Sequence, residues 1–113
     1  MNISTELLTE VLGKKAYWTK MFGNNYIEVH YDQERYMPVF DTINIYELAH
    51  KCKRYMYEKG WLFQVRTGNE LSVVDIANSE KRELFFRKQV DANTEPEAIF
   101  KACEWILKQK ENK

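Results

Sequence analysis

The chain lacks most of what would announce a chemistry. Its 113 residues include only two histidines and two cysteines, Cys52 and Cys103. There is no CxxC, no HxxxH and no carboxylate pair at ligand spacing, so neither a metal site nor a cofactor is expected. The four glycines, at 13, 23, 60 and 68, stand singly at turn and cap positions, which excludes a glycine-rich phosphate cradle. No apolar run approaches the ~18 residues of a membrane span. The first residues, MNISTELLTEVLGKK, show no positive stretch followed by an apolar block, so they do not read as a secretory signal. The expectation is a cytoplasmic protein with both thiols reduced and no membrane partner. Charge is also lacking in net terms, with 17 basic against 17 acidic residues, which argues against a general affinity for nucleic acid but not against a local basic patch.

What is present is core material. Hydrophobic residues make up 44% of the chain and aromatics 14%, enough apolar surface to offset ordering entropy, so disorder is not expected. The length fits one domain, residues 1–113. Residues 4–12 read as a helix, with Leu7, Leu8, Val11 and Leu12 on one face and Gly13 as its stop. Two strands are expected around Gly23-Asn24-Asn25. In the second, Ile27, Val29 and Tyr31 share one face and Glu28 and His30 the other. Residues 16–22 fit either a strand or a continued helix, because Tyr17, Trp18, Met21 and Phe22 also match helical spacing. The segment ERYMPVFDTI contains Pro38 and allows at most an edge strand.

From residue 43 the signals sharpen. Asn44 is a good N-cap, with Glu47 three residues on and Ile43 and Leu48 placed for a hydrophobic staple. Ile45, Leu48, Ala49, Cys52, Tyr55 and Met56 then follow at helical spacing, closed by Lys59 and Gly60. WLFQVRT and LSVVDIA flank the Gly68-Asn69 turn, and RELFFRKQV follows a polar loop, which predicts an antiparallel meander. The last helix opens with Thr94-Glu95-Pro96-Glu97, a capping box with proline in the first turn, and its core stripe is Ile99, Phe100, Cys103, Ile106 and Leu107. The expected fold is α+β and two-layered, an antiparallel sheet with helices packed on it. The approximate order is α-β-β-α-β-β-β-α. An N-terminal helix and hairpin (1–42) would extend or cover the sheet formed within a helix–three-strand–helix unit (43–110).

A catalytic arrangement is not apparent. Cys52 and His50 lie two apart on a helix and point about 200° from one another, so they cannot pair as nucleophile and base. Both cysteines fall on core stripes and read as small buried hydrophobes. The carboxylates Asp32, Asp41, Asp75 and Asp91 fall at element ends without a spacing that pairs them. The chain therefore reads as a non-enzyme.

Two surface features remain. Tyr46, His50, Lys53 and Tyr57 form a stripe on the second helix, about 130° from its core stripe, with Lys51, Arg54 and Lys59 on the same helix. Aromatics interleaved with cations suit contact with a partner's side chains or with bases, and they also suit a solvated face whose tyrosines cover neighbouring structure. Trp105 falls about 160° from the centre of the last helix's core stripe, flanked by Lys101 and Lys108 and near Ala98 and Ala102. That position makes it either an interface anchor or a residue covered by the aromatic N-terminal segment.

The helix–strand–strand–strand–helix order of 43–110 resembles the double-stranded-RNA-binding domain. That family grips phosphate with lysines at the start of its last helix, where this chain has Thr94-Glu95-Pro96-Glu97-Ala98, and two glutamates there would repel phosphate. The phrases NIYELAHKCKRYMYEKGW and ANTEPEAIFKACEWILKQK resemble small uncharacterised proteins of bacteriophages and prophages, and the plan resembles the phage ABA-sandwich domains. That likeness covers roughly the last two-thirds of the chain. It implies a phage or mobile-element setting and leaves the activity open. The expected function is binding of a host or phage protein, or of a second copy as a homodimer, with inhibition of a host defence system one role such a setting would give it. The alternative is a nucleic-acid-binding domain that uses the basic second helix.

Overall fold

The computed structural model describes residues 3–31, 39–78 and 87–111. The elements run α1 (Thr5–Leu12), β1 (Ala16–Phe22), β2 (Tyr26–Tyr31), β3 (Val39–Asn44), α2 (Ile45–Glu58), β4 (Trp61–Thr67), β5 (Ser72–Asn78), β6 (Lys88–Ala92) and α3 (Glu95–Glu111). The fold is α+β with antiparallel pairing throughout, as the patterning predicts. It differs from the expected order by one strand, β3, and by dividing its strands between two three-stranded sheets, β1-β2-β3 and β4-β5-β6. The N-terminal part thus neither extends nor caps the second sheet by strand pairing; it builds a sheet of its own.

Local chemistry explains each boundary. Ser4 caps α1, its Oγ accepting from the Leu7 N–H at 3.0 Å, and Gly13 ends the helix at φ 74°, a left-handed conformation that costs glycine little. β3 begins directly after Pro38, which itself lies outside the described residues. Among the described residues β3 occupies a sheet edge, pairing only with β2 from Tyr31↔Val39 to Tyr26↔Asn44. Asn44 then does double duty. It is the last residue of β3, and its Oδ1 accepts from the Tyr46 N–H at 2.8 Å, so strand passes into helix without a loop. At the start of α3 the Thr94 Oγ1 accepts from the Glu97 N–H at 3.4 Å, and Pro96 is fully buried in the first turn.

Residues 16–22 are a strand, and the register shows why they also matched helical spacing. A bulge between Trp18 and Lys20 inserts an extra residue and shifts the alternation. Trp18 and Met21, three apart, therefore both pack against the core, while Tyr17 is exposed. Of the expected strand RELFFRKQV, 82–86 lie outside the described residues; the described pairing runs from Lys88 to Ala92, two residues past its expected end. Asp75 is not at an element end. It sits mid-way along β5, the central strand of its sheet, and is buried.

α2 packs beside α3, with α2 over β4 and α3 over β5 and β6, while α1 touches β1, α2 and α3. One continuous core results. Leu7 and Leu8 of α1, Ile27 and Val29 of β2, Leu48 and Met56 of α2, Ile76 of β5, and Ile99 and Phe100 of α3 are among its most buried members. α3 is covered on more of its circumference than a single stripe implies. Ala98 and Ala102, expected near an outward flank, are fully buried, because α3 packs against α2 on one side and against β5 and β6 on another. No helix among the described residues is long and apolar enough to cross a membrane.

Candidate functional site

The α2 stripe forms a surface much as its spacing predicts. Tyr46 is 56% and Tyr57 71% exposed, the latter the most exposed of the large apolar side chains described. His50 is exposed between them and Lys53 is partly covered. Lys53 Nζ lies 3.5 Å from Glu95 Oε1 in the first turn of α3, and the other Glu95 oxygen accepts from the Thr67 hydroxyl at 3.2 Å. One cation of the stripe is thus partly neutralised by the carboxylate that stands where a double-stranded-RNA-binding domain would offer a lysine. Both partners of this pair are more than a third exposed, so it contributes little to stability.

Trp105 is partly buried rather than fully outward. Its ring meets Trp61 of β4 edge-on, with centroids 5.6 Å apart and planes at 82°. A groove of about 530 Å³ opens beside it, with Ile3, Trp18, Val90 and Trp105 as its apolar lining and Ser4, Lys101, Glu104 and Lys108 as its polar lining. Ile3 and Ser4 of the N-terminal segment therefore flank Trp105 as part of the groove wall. Trp18 is fixed there because its Nε1–H donates to the Ile3 carbonyl at 2.7 Å. Glu104 holds the same segment, accepting from the Ser4 backbone N–H and hydroxyl, each at 2.9 Å. Lys101 Nζ donates to the Asp91 carbonyl at 2.8 Å. Trp105, Lys101 and Lys108 thus come together in one groove, whereas none of Tyr46, His50, Lys53 and Tyr57 lines it.

Sequence reasoning missed Trp18, Ile3 and Val90 as neighbours of Trp105. Trp18 was findable only with the bulge known, since without it the side of β1 that carries Trp18 is undetermined. A second missed cluster lies on the outward face of the first sheet. Tyr17 stacks on its cross-strand partner His30 at 5.4 Å and 16°, and His30 Nε2 is 2.8 Å from Glu28 Oε1. The hydrogen bond to His30, joined by one from Thr19, holds the Glu28 carboxyl below its ordinary value. A third is Asp75, held between Arg66 at 2.9 Å on β4 and Gln89 at 2.9 Å on β6, a ladder that ties the three strands of the second sheet together.

Cys52 and Cys103 are both buried free thiols. The Cys52 thiol is pushed well above its ordinary range, first by its interaction with Cys103 and then by burial, which keeps it protonated and a poor nucleophile. Among the described residues no group of three or more His, Cys, Asp or Glu side chains stands together as a metal-binding set. Comparison with protein-family models, with curated proteins and with solved structures found no match to this chain.

Proposed function

We propose that this chain is a non-catalytic protein-binding module that acts in the host cytoplasm as an accessory protein of a phage or mobile element. Its partner is a host or phage protein, or a second copy of itself, and inhibition of a host defence system is the role such a setting favours. The setting rests on the likeness of the α2 and α3 phrases to phage proteins. The binding mode rests on one observation above others: Tyr46 and Tyr57 stand more than half exposed on one face of α2. The helix that carries them is pinned at its start by Asn44 and packed along its other side against α3. Rigid aromatic side chains presented this way bind at small entropic cost, and such residues dominate interface energetics. A nucleic-acid surface is favoured less, because Glu95 and Glu97 stand in the first turn of α3 and Glu95 draws on Lys53.

The test is affinity purification from a host lysate, with nuclease added to one of two parallel samples. The expected result is a stoichiometric protein partner that survives nuclease and is lost with Tyr57→Ala or Trp105→Ala. Recovery of nucleic acid, with binding that falls steeply with salt and with Lys53→Glu, would move the assignment to a nucleic-acid-binding domain.

A further inference from the structure

Lys101, Trp105 and Lys108 lie at i, i+4 and i+7 on α3, which places them along one line of the helix surface beside the groove. We propose that this groove seats an acidic segment of the partner that inserts one large apolar side chain between Trp18 and Trp105. The inference rests on the protein-binding reading above and names the chemistry of the partner.

Four observations carry it. Four separate segments contribute the apolar lining, Ile3, Trp18, Val90 and Trp105, and an aliphatic or aromatic group gains by packing against it. The net charge around it is positive, Lys101 and Lys108 against Glu104. Glu104 keeps its charge but has both oxygens turned to the neutral N–H and hydroxyl of Ser4, Lys101 donates to a neutral carbonyl and keeps its charge, and Lys108 is exposed with no ion pair among the described residues. Trp105 offers a donor as well. Its indole N–H has no acceptor among the described residues, and no buried side-chain nitrogen or oxygen lacks a partner, so that N–H reaches solvent. Finally, among the described residues the groove is open rather than enclosed. A small ligand needs most of its surface covered, which this shape does not provide, whereas a protein segment brings its own cover.

Spacing sharpens the motif. Seven residues of α-helix separate the two lysines by about 10 Å, close to the span of three residues of extended chain. The matching segment carries Asp or Glu about three positions apart with a large apolar residue between them.

A displayed random-peptide selection against the full chain tests this. Enriched peptides should carry acidic residues on either side of an aromatic or large aliphatic residue. Their affinity should fall at least about tenfold with Trp105→Ala and with the double change Lys101→Glu/Lys108→Glu, and it should decline as salt rises. Both lysines are exposed, so the double variant decides the matter even if Trp105→Ala fails to fold. Enriched peptides without acidic bias, acidic peptides indifferent to the lysine reversals, or displacement of the peptide by a DNA oligonucleotide would each overturn the proposal. Peptides lost with Tyr57→Ala but not with the lysine reversals would also overturn it, yet leave protein binding through α2 standing. Selection of no peptide, together with no protein partner in the lysate, would sink both.

Discussion

Tyr57 and Phe100 mark two extremes of what a large aromatic does in this molecule. Phe100 is 1% exposed at the centre of the core, and truncating it removes a ring's worth of transfer energy and leaves a cavity that its neighbours fill only in part. Phe100→Ala should therefore cost about 3–5 kcal/mol of unfolding free energy, measured as a shift in the urea midpoint. Tyr57 has most of its surface in water in the folded state, so Tyr57→Ala should change stability by no more than about 0.5 kcal/mol. If Tyr57→Ala instead destabilised the chain by several times that amount, its ring would be covering structure and would not be free for a partner. Trp105 falls between the two. Its edge-on contact with Trp61 gives it a structural part, and it also lines the groove proposed above as a docking site.

Among the elements, the junction of β3 and α2 concentrates the most consequence in one side chain. Asn44 ends a strand that pairs with Tyr26 and starts a helix by holding the Tyr46 N–H, and the Ile45 N–H donates to the Asn25 carbonyl at 2.8 Å. Asn44→Ala leaves the Tyr46 amide without its acceptor and should cost about 0.5–2 kcal/mol, whereas Asn44→Gly, which admits water to the exposed amide, should cost only a few tenths. No loss of stability in Asn44→Ala, by urea denaturation, would mean that the cap contributes nothing. This junction also shows what was legible in advance. The cap at Asn44, the stop at Gly60 and the stripe from Ile45 to Met56 are local signals, and they predicted α2 to within a residue. Trp105's groove was not legible, because it depends on a bulge in β1 and on where Val90 of β6 falls, and neither leaves a periodic trace. Likewise α3 was read as covered on one stripe. Its spacing says which residues are apolar but not that helix and sheet would enclose it from two directions, burying Ala98 and Ala102.

At the scale of the whole molecule, three protons on buried or half-buried groups link folding to alkaline pH. Tyr55 of α2 donates to Glu10 of α1 at 3.3 Å, and its phenol is pushed up from 10.0 to about 12, first by burial and then by the Glu10 charge. Burial and then Asp41 raise the Tyr31 phenol, and the Cys52 thiol is raised well above 9.0 by Cys103 and by burial. Each group holds its proton to higher pH folded than unfolded. Above about 9 the unfolded chain therefore carries fewer protons than the folded one, and unfolding free energy falls as pH rises. The contribution from these groups is fully present below that point and is lost progressively as pH climbs through about 12. Urea midpoints measured from neutral to strongly alkaline pH should be level at first and then decline. Tyr55→Phe removes the phenol that links α1 to α2, so the variant should be less dependent on pH between 10.0 and about 12 than the parent chain. The same slope in both would show that Tyr55 titrates folded as it does unfolded, and that α1 and α2 do not enclose it as the contact with Glu10 implies.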